Sequence, residues 1–272
     1  CGIAGFFDRK LSPDETRPLL DAMLESCAHR GPDYRGTWST APVCLGHNRL
    51  SIIDLSDAAN QPMHYRGLTI SFNGEIYNYI ELREELEKSG YVFTTHGDTE
   101  VILAAYHKWG RDCVTRFIGM WAFALWDSRS GELFCSRDRF GIKPFHYIHR
   151  DGRFYFASEM KALKATPVYT NQYNLMQMAR GLNLGWTHYE DETYYAAIKA
   201  LPAAHNLTVR GDGSVVVERY WDINFEQRFE GTFEDKKEVF RSLFFDSIRL
   251  TERRDVTLGV CLSGGLDSSA IA

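Results

Sequence analysis

Apolar positions along this chain recur mostly at the period of strands, and helical spacing is confined to a few segments. Ile3 to Phe7 is a short continuous apolar run, which predicts a buried strand with Cys1 at its end. After Ser12-Pro13, the spacing of Leu19, Leu20, Met23 and Leu24 gives one apolar helix face. Glycine and proline in His29-Arg30-Gly31-Pro32-Asp33 turn the chain there. Val43–Leu45 and Leu50–Ile53 read as strands flanking His47-Asn48-Arg49. Leu68, Ile70 and Phe72 alternate with Thr69 and Ser71, and that strand runs directly into Asn73-Gly74-Glu75. A polar triplet at a strand end is a common address for functional groups.

Asn78-x-x-Glu81 fits a capping box ahead of a helix Ile80–Lys88, with Gly90 closing it. Tyr91–Thr94 predicts a strand, after which Asp98 either caps the next helix or stands as a ligand carboxylate. Strands follow at Met120–Trp126, Leu133–Ser136, Phe145–His149 and Arg153–Ala157, the last two joined by an Asp151-Gly152 turn. Glu159–Lys164 and Asn171–Arg180 are helix-compatible, and His205–Val209 with Val215–Val217 forms a hairpin. Residues 224–237 are charged and poor in apolar anchors, which predicts a linker. A helix Glu238–Leu250 follows, with Val239, Leu243 and Ile248 on its apolar face. The apolar strand Val256–Leu262 then leads into Ser263-Gly264-Gly265-Leu266-Asp267-Ser268-Ser269. Grouped strands without regular β-α-β alternation predict an α+β fold with stacked layers.

Composition narrows the function classes. The 272 residues are 44% hydrophobic and 25% charged, as in an ordinary globular protein. A net charge of −5 with scattered basic residues speaks against a nucleic-acid partner. The longest apolar run, Met120–Trp126, falls far short of the ~20 residues that span a membrane, and no signal-peptide pattern opens the chain. Six dispersed cysteines without a C-x-x-C pair predict reduced thiols, a cytoplasmic location and no metal site. Cys27, Cys44, Cys113 and Cys135 are expected in the core, and His29 and His47 as buried structural histidines.

Cys1 changes this picture, because one residue carries a thiol nucleophile and an α-amine whose ordinary pKa of about 7.7–8.0 suits a base. Asn73-Gly74 has two readings: a type I′ hairpin turn, or an oxyanion hole built from a side-chain amide and a backbone N–H. Arg49 suits a carboxylate through its planar fork, whereas Asp98 and Glu75 suit an ammonium. Singly, each has an ordinary surface or capping role. The small residues after the Val256–Leu262 run suit a phosphate, although the Walker pattern is absent.

Taken together, Cys1-Gly2-Ile3-Ala4-Gly5, Arg30-Gly31-Pro32-Asp33, His47-Asn48-Arg49-Leu50-Ser51-Ile52, Asn73-Gly74-Glu75-Ile76-Tyr77-Asn78 and Asp98 resemble class II glutamine amidotransferases. Asp138-Arg139-Phe140-Gly141-Ile142-Lys143-Pro144 and Ser263–Ser269 are similar to the glutamine-dependent asparagine synthetases among them. The resemblance implies an N-terminal nucleophile hydrolase fold, a four-layer α/β/β/α sandwich over residues 1–223. It also implies a linker at 224–237 and the truncated start of an α/β ATP-pyrophosphatase region at 238–272. Cys1 would be the nucleophile, with Asn73 and Gly74 as the oxyanion hole. Arg49, Ile52, Asn73, Gly74, Glu75 and Asp98 would bind glutamine, with Asn78 beside Ile52 shaping its pocket. Leu262, Ser263, Gly264, Gly265, Asp267 and Ser268 would form the ATP pyrophosphate loop. Glutamine hydrolysis would need no cofactor; the complete enzyme would use ATP, Mg2+ and aspartate, and a homodimer is compatible with it. The alternatives are a relative that amidates another carboxylic acid and a regulatory domain that keeps the fold without catalysis. The sequence stops at Ala272, just past the loop, so the expectation is that residues after about Asn224 pack poorly and that Val256–Leu262 lacks strand partners.

Overall fold

The structure is a computed structural model and describes residues 1–187 and 189–272. In chain order it forms β1 (Gly2–Phe7), α1 (Pro13–Ser26), β2 (Tyr34–Thr40), β3 (Val43–Arg49), β4 (Met63–Tyr65), β5 (Leu68–Ile76), α2 (Tyr79–Glu87) and α3 (Asp98–Trp109). Next come β6 (Gly119–Asp127), β7 (Glu132–Arg137), β8 (His146–Arg150), β9 (Arg153–Ala157), α4 (Met160–Leu163) and α5 (Leu175–Leu184). The chain closes with β10 (Lys199–Ala200), β11 (His205–Val209), β12 (Val215–Arg219), α6 (Phe233–Thr251) and α7 (Leu266–Ile271).

Two six-stranded antiparallel sheets result, in the orders β10-β8-β9-β1-β3-β2 and β12-β11-β7-β6-β5-β4. Strand alternation explains the layering. Ile3 and Phe7 of β1 point between the sheets with Leu45, Ala122, Ala124, Phe156 and Leu207. Ala4 and Phe6 point the other way, onto Leu20, Met23 and Leu24 of α1 and Leu163 of α4. On β6, Ala122 and Ala124 face inward, whereas Trp121, Phe123 and Leu125 meet Leu82 and Leu86 of α2 and Ile102 of α3. Both faces of each central strand are therefore covered, which is why their sequences read as unbroken apolar runs. The order is helix, sheet, sheet, helix, as the resemblance implies.

Several local expectations fail for identifiable reasons. Leu50–Ile53 is not a strand; β3 instead continues through His47, Asn48 and Arg49, each of whose side chains finds a partner. Asn48 Nδ2 donates to Leu24 O at 2.8 Å, and His47 Nε2 hydrogen-bonds Phe72 O at 3.0 Å. Tyr91–Thr94 is not a strand either, because the amides of Thr94 and Thr95 turn to the Glu100 carboxylate. The Asn78–Glu81 capping box does not form. Asn78 spans to Ile118 N and Arg116 O, and Glu81 pairs with Arg253. α5 begins at Leu175, where Asn174 accepts from Gln177 N at 3.1 Å, later than expected. His29 is exposed and pairs with Glu159, so of these two histidines His47 alone is buried.

Beyond residue 224 the expectations hold in part. α6 opens at Phe233, inside the stretch read as a linker, because Thr232 and Asp235 form a capping box. Of α6, only Leu250 is buried, and Phe225, Phe240 and Leu243 stay exposed. Val256–Leu262 forms no strand: no neighbouring edge receives its backbone groups, so its apolar character has nothing to pack into.

Candidate active site

Pairing of β1 with β3, Gly2 opposite Asn48, carries Cys1 to the end of the sheet beside Arg49 and Leu50. Its Sγ lies 3.4 Å from both N and O of Leu50. The Cys1 carbonyl accepts from Arg30 Nε at 2.9 Å, and Arg30 Nη1 rests on Glu159 at 3.0 Å. The next motif residues brace the same end. A Cβ on Gly31 would sit 2.3 Å from the Asn48 backbone, so only glycine permits the approach. Asp33 takes Ser51 N on its carboxylate at 2.7 Å and donates its own N–H to Arg49 O at 3.0 Å. Burial, with help from Arg30 and Lys143 and against Glu75 and Asp33, pulls the Cys1 amine down to about 5. At neutral pH that amine is a free base beside the thiol.

β5 supplies the facing wall. Asn73, Gly74 and Glu75 pair in register with Ala122, Trp121 and Met120 of β6, so Asn73-Gly74 is strand and the hairpin-turn reading falls. A Cβ on Gly74 would lie 2.2 Å from Met120 O, which leaves glycine as the residue that fits. Asn73 is buried, and its Nδ2 has no acceptor among the described residues. An unpaired buried donor costs about 1–3 kcal/mol, a cost that persists where function uses it. Glu75 is half-buried; burial pushes its carboxyl up, while Lys143 and the Cys1 amine oppose that.

Arg49 is oriented from one side only. Nη1 donates to Ser56 O and Asn60 Oδ1 at 2.8 Å each, and Nη2 donates to Asp54 O. Nε and the second Nη2 N–H have no acceptor among the described residues. Together they form the edge of the guanidinium that takes a carboxylate with two bonds. Asp98 is the first residue of α3, with Gly97 as the cap, so the capping reading of Asp98 is not what forms. Its Oδ2 accepts from Ile76 N at 2.9 Å. Burial raises its pKa to about 7, with Glu75 adding and the backbone bond from Ile76 opposing.

These groups meet in one cavity of about 150 Å3, walled by Cys1, Arg49, Ile52, Asn73, Gly74, Glu75 and Asp98. That is smaller than the ~300–1,000 Å3 of drug-sized pockets and suits a small polar molecule. Lys143 and Gln61 also line it and were not anticipated. Lys143 is set by buried Asp138, which accepts from the amides of Phe140, Ile142 and Lys143 at 3.0–3.1 Å. Its signal was present in the Asp138–Pro144 motif. Gln61, which holds Phe72 N at 2.7 Å, carries no sequence signal. His47 is pulled down to about 3, first by burial and then by the Cys1 amine, and stays neutral. The Leu262–Ser268 segment lines none of this cavity; it is exposed, with Ser263 Oγ 3.0 Å from Ser268 Oγ and Gly264 at φ 79°.

A cysteine thiol with a neutral amine beside it, at the end of a helix/sheet/sheet/helix sandwich, makes a site of the nucleophile-with-base class. Within that class the chain belongs to the glutamine amidotransferase domain family, whose model matches residues 1–221. An asparagine synthase model matches residues 216–272. Asparagine synthetase [glutamine-hydrolyzing] 3 of Bacillus subtilis is 38% identical over 275 residues, covering 100% of this chain and 44% of the relative. Asparagine synthetase [glutamine-hydrolyzing] 1 of the same organism is 39% identical over 278 residues, covering 100% and 43%. The chain thus spans under half the length of these two relatives. Among solved structures, glutamine phosphoribosylpyrophosphate amidotransferase from B. subtilis superposes with a TM-score of 0.61 at 19% identity, covering 81% of this chain and 49% of that one. That likeness shows the shared fold.

Proposed function

We propose that this chain hydrolyses glutamine to glutamate and ammonia at Cys1, and that the ammonia serves ATP-dependent synthesis of asparagine from aspartate. The carrying observation is the unpartnered Nδ2 of buried Asn73 in the wall of the Cys1 cavity. The neutral amine takes the thiol proton, and the thiolate attacks the side-chain amide carbon. Asn73 Nδ2 and the Gly74 N–H stabilise the oxyanion. The protonated amine then gives its proton to the departing nitrogen, ammonia leaves, and a thioester remains. Water activated by the same amine opens it to glutamate. The free edge of Arg49 holds the α-carboxylate, while Asp98 and Glu75 balance the α-ammonium, and Ile52 shapes the wall.

The synthetic half is carried by likeness to the synthetases. Gly264 and Gly265 give an exposed glycine backbone between Ser263 and Ser268, with the Gly265 N–H on Ser263 Oγ at 3.4 Å, a loop that suits the phosphates of ATP. Asp267 is the acid of this loop, and no cluster of three or more acidic, His or Cys ligands exists among the described residues. Mg2+ would accompany the bound nucleotide. The division into 1–223, 224–237 and 238–272, a cytoplasmic location and a homodimer belong to the same proposal. Among the described residues no helix is long and apolar enough to cross a membrane.

Glutamate release by wild type and Cys1→Ala tests the first half. The substitution should remove at least about 10³-fold in kcat, and activity that survives it would discard the mechanism. In a chain as long as its relatives, pyrophosphate release should depend on aspartate; dependence on a different acid would replace the acceptor.

A further inference from the structure

One buried residue ties the two binding arms of the cavity together. Asp54 accepts from Arg49 Nη2 on its carbonyl, and from His96 N on its Oδ2 at 2.8 Å, two residues before Asp98. Its Oδ1 takes Ser56 N at 3.1 Å and Ser56 Oγ at 2.6 Å. Asp54 sits at φ 52°, a left-handed conformation that an aspartate tolerates better than most residues and that its bonds here hold in place. Its N–H supplies one of those bonds, and the partner comes from the far end of the chain. Asp255 Oδ2 accepts from Asp54 N at 2.7 Å, and Asp255 N donates back to Ile52 O at 2.9 Å. Arg253 fastens the same segment by donating to Tyr77 O at 2.6 Å and to both Glu81 oxygens at 2.5 Å.

We propose that Asp255 is a positioning residue for glutamine binding: through Asp54 it latches Arg49 and the start of α3 at the spacing that grips α-carboxylate and α-ammonium together. This rests on reading the cavity as the glutaminase site. Cys1, Asn73 and Gly74 stand on β1 and β5, held by sheet pairing that the latch does not touch. Loosening it therefore affects binding of the amino-acid end and leaves the chemical step intact. Asp255 itself is exposed, so its loss removes no packed side chain and costs little stability.

The test is glutaminase kinetics on Asp255→Ala and Asp255→Asn. Asp255→Ala should raise KM for glutamine about fivefold or more with kcat unchanged. Asp255→Asn should restore KM, because its amide oxygen still accepts from Asp54 N–H. A wild-type KM in Asp255→Ala, a fall in kcat at constant KM, or an Asp255→Asn no better than the alanine variant would overturn the latch. Calorimetric titration of glutamine into Cys1→Ala and into Cys1→Ala with Asp255→Ala separates the two levels of the argument. Weaker binding in the double variant supports the latch. Equal binding overturns it and leaves the glutaminase reading standing, while no binding to Cys1→Ala overturns both.

Discussion

Two apolar runs of this chain lead into glycine motifs, and the fold treats them in opposite ways. Leu68–Phe72 enters Asn73-Gly74 as β5, with β4 on one edge, β6 on the other and α3 across one face. Val256–Leu262 enters Ser263-Gly264-Gly265 as irregular chain, with Val260 49% and Leu262 61% exposed. The side chains are of the same kind; the neighbours are not. An apolar run offers burial, but it becomes a strand only where flanking edges take its N–H and C=O groups. The same difference separates the motifs. Asn73, in the cavity wall, keeps a buried donor without an acceptor among the described residues, whereas Ser263 and Ser268 bond one another in an exposed loop.

Removing one side chain from each run is the most direct way to break that contrast. Ile70→Ala should cost about 2–5 kcal/mol through the cavity it leaves, and Val260→Ala should stay within about 0.5 kcal/mol. Urea unfolding reads both, and comparable costs would mean that the second run is packed after all.

Asn73→Ala sharpens the comparison at the motif itself. If the unpaired Nδ2 serves the oxyanion, kcat for glutamate release should fall about 10²–10³-fold, or about 2.7–4 kcal/mol. Stability should hold or rise, because a buried unsatisfied donor is removed. A stability loss at unchanged kcat would make Asn73 a structural residue.

A further expected effect is a pH slope confined to the first region. Asp98 titrates at about 7 in the folded chain against 3.8 for the ordinary carboxyl. Between those values the folded state holds a proton that the unfolded chain has released, so stability falls as pH rises from about 4 to 7. Asp98→Asn should flatten that part of the stability profile. Glutamine should bind more tightly as pH rises through 7, since the ionised carboxylate meets its α-ammonium. A stability profile for Asp98→Asn identical to wild type would show that the carboxyl is ionised throughout.

Much of the first region was legible because its helices and central strands carry unambiguous periods. α1, α3, β5 and β6 lie within a few residues of where Leu20, Leu24, Ile102, Phe72 and Phe123 place them. Polar residues inside strands defeated the same reading. His47, Asn48 and Arg49 look like a break in an apolar pattern, yet partners from α1, β5 and the following loop let β3 run through them. Capping chemistry misled at Asn78, where a strand end competed for the side chain and won. Cys1, Arg49, Ile52, Asn73, Gly74, Glu75 and Asp98 line one cavity as expected, whereas Asn78, expected to shape it, bonds Arg116 O and Ile118 N instead, and Gln61 joins from a loop that no pattern marks.

The sequence alone determined the cast: a cysteine at the first position, a glycine at 74 that no other residue replaces, an arginine and two acids in order. Grouped strands pointed to stacked layers, and the four-layer order came from the family resemblance. Only the tertiary structure decided what those groups are chemically. Burial makes the Cys1 amine a base near pH 7 and brings Asp98 to the edge of protonation, and both depend on neighbours distant in sequence. Carbonyls of residues 54 and 56 decide which edge of Arg49 is free. Strand edges decide that Asn73-Gly74 is a wall and not a turn. Ionisation, orientation and pairing are properties of the surroundings of a residue, and the chain acquires those surroundings only on folding.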